Sequence, residues 1–208
     1  MLVIYRWIVG LLFFGSLPIL LPFVLLTGKH RRGLWQRLGR YRLNSNIQGR
    51  DDVTVWLHAS SVGEVQAVRP VILELKKKLP SAAFILTTMT LRGRDVAETQ
   101  LADSVQCFLA PLDVPGIVGK AIKSFAPDIY ICMETELWPV LIDSLSRNGV
   151  RLCLVNGRLS EKSFGKYLKT KRFIRKTIRQ FDNIAVISAS DRNKFLALGA
   201  RDDRLTVG

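Results

Sequence analysis

Short apolar runs recur along the chain at residues 53–58 (VTVWLH), 83–88 (AFILTT), 105–109 (VQCFL), 129–133 (IYICM), 151–155 (RLCLV) and 183–187 (NIAVI). They are rich in β-branched and aromatic side chains without clean polar alternation, the pattern of strands buried on both faces. Segments of helical character separate or follow them, at residues 64–78, 93–101, 115–124, 138–147, 162–180 and 190–198. This alternation predicts an α/β domain with a parallel sheet covered by helices. Ligands of open parallel sheets bind beyond the carboxyl ends of the strands. The residues of interest are therefore Ser60, Ser61, Gly63 and Glu64 after the first strand, and Thr87, Thr88, Thr90 and Gly93 after the second. Pro111 and Asp113 follow the third, Glu134 and Glu136 the fourth, and Asn156, Gly157 and Arg158 the fifth.

A different apolar pattern precedes the strands. Trp7 to Gly28 is 22 residues without a charge, long enough for a membrane-spanning helix. Lys29, Arg31, Arg32, Arg37, Arg40 and Arg42 follow it, against Arg6 on the other side, so the positive-inside rule places the body in the cytoplasm. Pro18 and Pro22 kink such a helix, so the segment either spans or enters without crossing. A cleaved signal peptide is the competing reading, but no small-residue cleavage pattern follows the run. The chain thus divides into an anchor at 1–28, a basic juxtamembrane segment and linker at 29–52, and a domain at 53–208.

Composition sharpens this picture. The 208 residues carry 31 Lys and Arg against 17 Asp and Glu, a net charge of +14, yet mean hydropathy is positive at +0.18. That excludes a disordered acidic chain and a plain soluble basic domain. The charge lies in two blocks: residues 1–50 hold eight basic residues and no acid, residues 151–181 ten basic and one acid. Cys107, Cys132 and Cys153 lack metal-ligand spacing and read as buried small hydrophobes, and His30 and His58 are too few for a histidine-rich metal site. Residues 157–163 and 116–121 fail as phosphate loops, and no G-x-G-x-x-G occurs.

Several residues admit two readings. Ser61 and Glu64 have the S-x-x-E spacing of a capping box, while Gly63 between them marks a close backbone approach to a ligand. A carboxylate at a helix amino terminus stays ionised and is a weak base. Glu134 ends an otherwise apolar strand, so it is either paired, with Arg92 or Arg158, or part of a site. Trp138 and Pro139 read as helix-start packing. Residues 166–180 form a basic amphipathic helix whose Lys171, Arg172 and Arg175 either make a solvated face or meet an anionic membrane. No nucleic-acid motif accompanies them.

Taken together, the motifs resemble a known family, the Kdo (3-deoxy-D-manno-octulosonic acid) transferases of Gram-negative lipopolysaccharide synthesis. The ordered series is Arg37-Leu38-Gly39, residues 57–64 (LHASSVGE), 87–90 (TTMT) with Gly93, Pro111 with Asp113, 133–139 (METELWP), 156–160 (NGRLS) with Ser163 and Tyr167, and Leu198-Gly199-Ala200. The resemblance implies a GT-B glycosyltransferase of two Rossmann-like domains, with helices on both sheet faces. The amino-terminal domain takes a lipid acceptor and the carboxyl-terminal one the CMP-Kdo donor. It makes Glu64 the catalytic base and gives Glu134 a part in stabilising the transition state. Ser60, Ser61, Gly63, Thr88, Thr90, Arg92, Glu136, Asn156, Arg158, Lys171, Arg172 and Arg175 are the expected substrate-binding residues.

The implied reaction is inverting transfer to a lipid A precursor (lipid IVA), with no cofactor and no metal, at the cytoplasmic face of the anionic inner membrane and without nucleic acid. The family's lysine-containing G-x-L-K-F-D-like segment and donor domain do not appear before Gly208, so the expectation is an acceptor-binding half, inactive alone. The alternative is a non-catalytic, membrane-anchored module that binds anionic lipid through its basic blocks.

Overall fold

The computed structural model describes residues 2–27, 32–43, 53–101 and 105–208. Gly28 of the expected anchor and residues 29–31 and 44–52 of the expected linker lie outside them. The chain opens with α1 (Leu2–Thr27) and the single turn α2 (Leu34–Arg37). Then come β1 (Thr54–His58), α3 (Val62–Lys78), β2 (Ala83–Thr88), α4 (Leu91–Leu101), β3 (Gln106–Leu109), α5 (Pro115–Phe125), β4 (Ile129–Met133) and α6 (Pro139–Arg147). It continues through β5 (Arg151–Gly157), α7 (Glu161–Lys169), α8 (Lys171–Ile178), β6 (Asn183–Val186), α9 (Ala189–Leu198) and β7 (Leu205–Val207).

The strands form one sheet in the order β3-β2-β1-β4-β5-β6-β7, with every neighbouring pair parallel. Strand order therefore reverses between β1 and β4. The loops leaving those two strands border a topological switch point, where open α/β sheets bind ligands.

Two apolar layers cover the sheet. Val55 and Leu57 of β1 pack with Val65, Val68 and Ile72 of α3 and Ala97 and Leu101 of α4. Trp56, on the opposite face, packs with Val118 and Phe125 of α5, Val140 and Leu145 of α6, and Ile174 and Ile178 of α8. Because neighbouring residues of β1 feed opposite layers, the strand reads as an unbroken apolar run. Helix starts follow local chemistry: Pro115 and Pro139 occupy first-turn positions where a missing N–H costs nothing. Asp113 accepts hydrogen bonds from the N–H groups of Val140 (3.1 Å) and Leu141 (2.8 Å), capping α6 from another loop.

Three features depart from the sequence reading. The helix expected over 162–180 is two helices, broken at Thr170 (φ −113°, ψ 26°). The break lets Ile174, Thr177 and Ile178 of α8 turn into the core while α7 buries no residue. Strand β7 and turn α2 had no counterpart, because three- and four-residue elements are too short to carry a period. At β5 the register shifts between Leu154 and Gly157, with Asn156 in the left-handed region at φ 57°.

Helix α1 forms over the expected anchor, with Pro18 and Pro22 inside it. Arg6 reaches Asp143 of α6 at 2.9 Å, and Tyr5 stacks obliquely on Phe173 of α8 at 5.0 Å. Many other side chains of α1 point to solvent, including Trp7 at 75% exposure. Counted over the described residues, no helix is long and apolar enough to cross a membrane.

Candidate active site

Strand β1 ends at His58, and the chain turns through Ser60 and Ser61 into α3. Ser61 caps that helix in extended backbone, its Oγ accepting the Glu64 N–H at 3.4 Å. The Glu64 carboxylate folds back over the same turn: the Ser60 N–H donates to Oε2 at 2.7 Å and the Ser61 hydroxyl to Oε1 at 3.0 Å. The capping box is thus present, and it holds a carboxylate that is only 7% exposed. Burial raises the Glu64 pKa above its ordinary value, the Ser60 and Ser61 hydrogen bonds and Arg158 oppose the shift, and Glu134 adds to it. Desolvation thus strengthens as a base the carboxylate that the helix terminus alone would weaken. Gly63 beside it is exposed, and an added Cβ would meet only Ser61 Oγ, at 3.9 Å, so the backbone here is open to a ligand.

Across the switch point, Glu134 leaves β4 in the left-handed region at φ 56°, its N–H bonded to the Val155 carbonyl at 2.9 Å. Non-glycine residues adopt such backbone at a cost, and they concentrate at functional edges. Of the two expected partners of Glu134, Arg158 is the one that reaches it, donating to its Oε1 at 2.6 Å. Thr135 Oγ1 donates to the Arg158 carbonyl at 2.6 Å and ties the two loops together. Arg92 is not brought to this pair; it stands exposed on α4. The pKa of Glu136 is raised by burial and by the Glu64 charge. The nearby Trp138 indole favours its ionised form, although that N–H lies outside hydrogen-bond geometry. The edge therefore gathers Glu64, Glu134 and Glu136 beside Arg158.

Beside them opens a cleft of about 570 Å³ lined by Glu134, Glu136, Arg158, Ser163, Tyr167 and Lys194, among others. Lys194 of α9 bonds the Leu159 carbonyl at 2.8 Å and Glu161 at 2.7 Å. Ser188 and Asp191, also in the lining, fix the start of α9, with Ser188 Oγ donating to Asp191 at 2.5 Å. Sequence reasoning missed Ser188, Ser190, Asp191 and Lys194. Ser188 was findable: it lies just past β6, where the strand-end rule was not carried. Lys194 gives no sequence signal.

The remaining expected residues separate. Thr88 is fully buried, its hydroxyl bonded to the Thr90 carbonyl at 3.0 Å, and Thr90 Oγ1 accepts the Gly93 N–H at 3.0 Å near the start of α4. Gly93 sits against the Ser61 loop, since an added Cβ would lie 2.9 Å from Thr90 Oγ1 and 3.6 Å from the Ser61 backbone. These residues support the Glu64 turn from behind. Asn156 shapes the bulge that sends Arg158 outward. Lys171, Arg172 and Arg175 are exposed on α8 and outside the cleft lining. His58 is buried against Thr87 Oγ1 at 3.1 Å, and burial lowers its pKa to about 4. Among the described residues no group of three His, Cys, Asp or Glu side chains is placed to hold a metal ion.

Comparison with known proteins shows the family of the chain. The chain aligns over 148 residues with the 3-deoxy-D-manno-octulosonic acid transferase of Rickettsia prowazekii at 36% identity, covering 71% of this chain and 32% of the relative. It aligns over 191 residues with the Haemophilus influenzae protein of the same name at 31% identity, covering 91% and 45%. The chain thus spans less than half the length of these curated relatives. Among solved structures, a UDP-N-acetylglucosamine 2-epimerase superposes with a TM-score of 0.53 at 14% identity, covering 76% of this chain and 48% of that one. The Neisseria meningitidis UDP-GlcNAc 2-epimerase gives 0.52 at 13%, covering 74% and 46%. At such identity the likeness is one of fold. The family description "3-Deoxy-D-manno-octulosonic-acid transferase (kdotransferase)" matches residues 32–208, the stretch that builds both the sheet and the acidic edge, and the chain belongs to that family.

Proposed function

We propose that this chain is the acceptor-binding half of an inverting GT-B glycosyltransferase that moves Kdo from CMP-Kdo to the glucosamine disaccharide of lipid IVA. The observation that carries the reading is Glu64: a desolvated carboxylate of raised pKa, held by Ser60 and Ser61 at the switch point beside an open glycine. An acceptor hydroxyl lying over Gly63 gives its proton to Glu64 as its oxygen bonds the anomeric carbon, while the bond to CMP breaks on the opposite side. One displacement inverts that carbon. Glu134, fixed by Arg158, offers negative charge to the oxocarbenium-like carbon of the transition state. No metal or cofactor enters this scheme. A GT-B site is a cleft between two domains, so the described residues supply one wall and transfer needs a donor domain.

The same reading places the chain on the cytoplasmic face of the inner membrane, with α1 as the anchor and cations after it. Helix α8 adds Lys171, Arg172 and Arg175 on an exposed face next to α1, where Tyr5 meets Phe173. Reversing these three to Glu is expected to weaken binding to vesicles containing anionic lipid, increasingly so at low salt. A flotation assay across a salt series checks it; unchanged binding makes this face a merely solvated one.

The test of the acceptor assignment is calorimetry with lipid IVA in mild detergent. Saturable binding is expected, weakened about tenfold by Arg158→Ala, since a charge-assisted contact is lost. A chain that folds and binds no lipid IVA overturns the assignment.

A further inference from the structure

A cleft of about 810 Å³ opens between α1 and the body of the domain. Trp7, Leu11 and Phe14 of α1 form one wall, Pro115 and Gly116 of α5 the other, with Arg6 and Arg147 also in the lining. A second bay of about 600 Å³ shares Arg6, Pro115 and Arg147 with the first, and runs past Lys123 and Ser144 to Ala126 and Asn148. The first compartment is apolar and the second is cationic. Asp143 holds Arg6 and Arg147 at 2.9 Å each, but one carboxylate against Arg6, Arg147 and Lys123 leaves the bay positive.

We infer that this cleft holds a bilayer glycerophospholipid with an anionic headgroup. An acyl chain lies between α1 and α5, and the headgroup phosphate lies in the bay at Lys123 and Arg147. The volume is in the range of built ligand sites. An apolar chain suits the first compartment, and free phosphate would leave it empty.

Position separates this lipid from the sugar acceptor. The bay follows α5 from Pro115, just after β3, to Ala126, just before β4, and Asn148 ends α6 just before β5, so Lys123 and Arg147 stand at the amino-terminal end of the sheet. Glu64 and Glu134 stand at the other edge, one strand away, or roughly 16 Å at about 3.3 Å per residue. A glycolipid headgroup seated at Lys123 and Arg147 would stand that distance from Glu64. The inference is therefore independent of the transfer reaction.

The cleft also offers a clean perturbation. Gly116 lines the cleft and a Cβ added there meets nothing within 4 Å, so the position has room for a side chain to begin toward the cleft. Gly116 is in α5, where leucine is the better helix former, so Gly116→Leu is not expected to unfold the chain.

The experiment is native mass spectrometry of the 208-residue chain in mild detergent, titrated with phosphatidylglycerol or phosphatidylcholine of matched acyl length. One phosphatidylglycerol per chain is expected, in preference to phosphatidylcholine. Gly116→Leu should lower occupancy by both lipids about tenfold. Lys123→Gln with Arg147→Gln should bring the two lipids to parity while leaving the thermal melt in place, since Arg6 still pairs with Asp143. No retained phospholipid, or occupancy untouched by Gly116→Leu, overturns the inference. So does one-for-one displacement by lipid IVA, which would make the cleft part of the acceptor site.

Discussion

Glu64→Gln, in a chain completed by a donor-binding domain, is expected to lower turnover by about 10²- to 10⁴-fold, the range that general-base catalysis contributes. The substitution keeps the fold. A glutamine oxygen still accepts from the Ser60 N–H, and the Ser61 hydroxyl can turn to accept from the new amide. Stability moves the other way from activity. The Glu64 pKa is raised in the folded state, so the folded chain holds that proton more tightly than the unfolded one. Ionisation as pH rises through that value therefore costs stability, and the neutral amide avoids the cost. At neutral pH the variant should melt at the same temperature as the parent or above it, while turning over far more slowly.

A residue that served only as a cap would leave turnover intact, since glutamine closes a capping box as glutamate does. The pH profile adds a second mark. Activity needs the deprotonated carboxylate, so kcat/KM should fall as pH drops through a value above the ordinary glutamate range, and Glu64→Gln should lack that acid limb. Wild-type turnover by the folded variant removes Glu64 from the chemistry.

The alternation of apolar runs and helical segments was enough to place β1 to β6 and most of the helices within a few residues. Buried strands carry their signal in composition alone. The same run of residues could not reveal that strand order reverses between β1 and β4, which is what brings Glu64 and Glu134 to one place. That fact depends on long-range pairing. Ser61 and Glu64 were legible as a pair because capping is local. The direction of the Glu64 pKa was not, because it depends on burial by residues far along the chain. Thr170 reads as an ordinary helical residue until the core draws Ile174 and Ile178 inward. Asp113 was marked by its place after β3, but its work as the cap of α6, and the burial that raises its pKa to about 6, appear only when two loops meet.

Trp56→Ala is expected to destabilise the chain by about 3–5 kcal/mol, the cost of emptying a large aromatic site in a closed core. Trp56 is 0% exposed at the centre of β1, between β2 and β4. Its ring meets Phe125 edge-on at 4.8 Å and Tyr130 at 5.3 Å, and Phe125 in turn packs on Tyr41 at 4.3 Å. One deletion therefore loosens β1, β4, α5 and the segment after α2 together, which leaves little room for the cavity to collapse. The indole N–H also donates to Thr87 Oγ1 at 2.8 Å, the oxygen that meets His58 Nδ1 at 3.1 Å. Trp56→Phe removes that donor but keeps most of the ring volume, and the Thr87 hydroxyl retains the Leu57 carbonyl as an acceptor at 3.3 Å. It should cost well under half as much as alanine. Urea unfolding followed by circular dichroism measures both, and domain stabilities of about 5–15 kcal/mol make the alanine loss a large shift in midpoint. Because β1 runs directly into the Ser60–Glu64 turn, hydrogen exchange at the Ser60 and Glu64 amides should rise with the alanine variant in step with the global loss. Protection retained there while the rest of the sheet opens would mean that the cap, and not the strand behind it, holds the carboxylate in place.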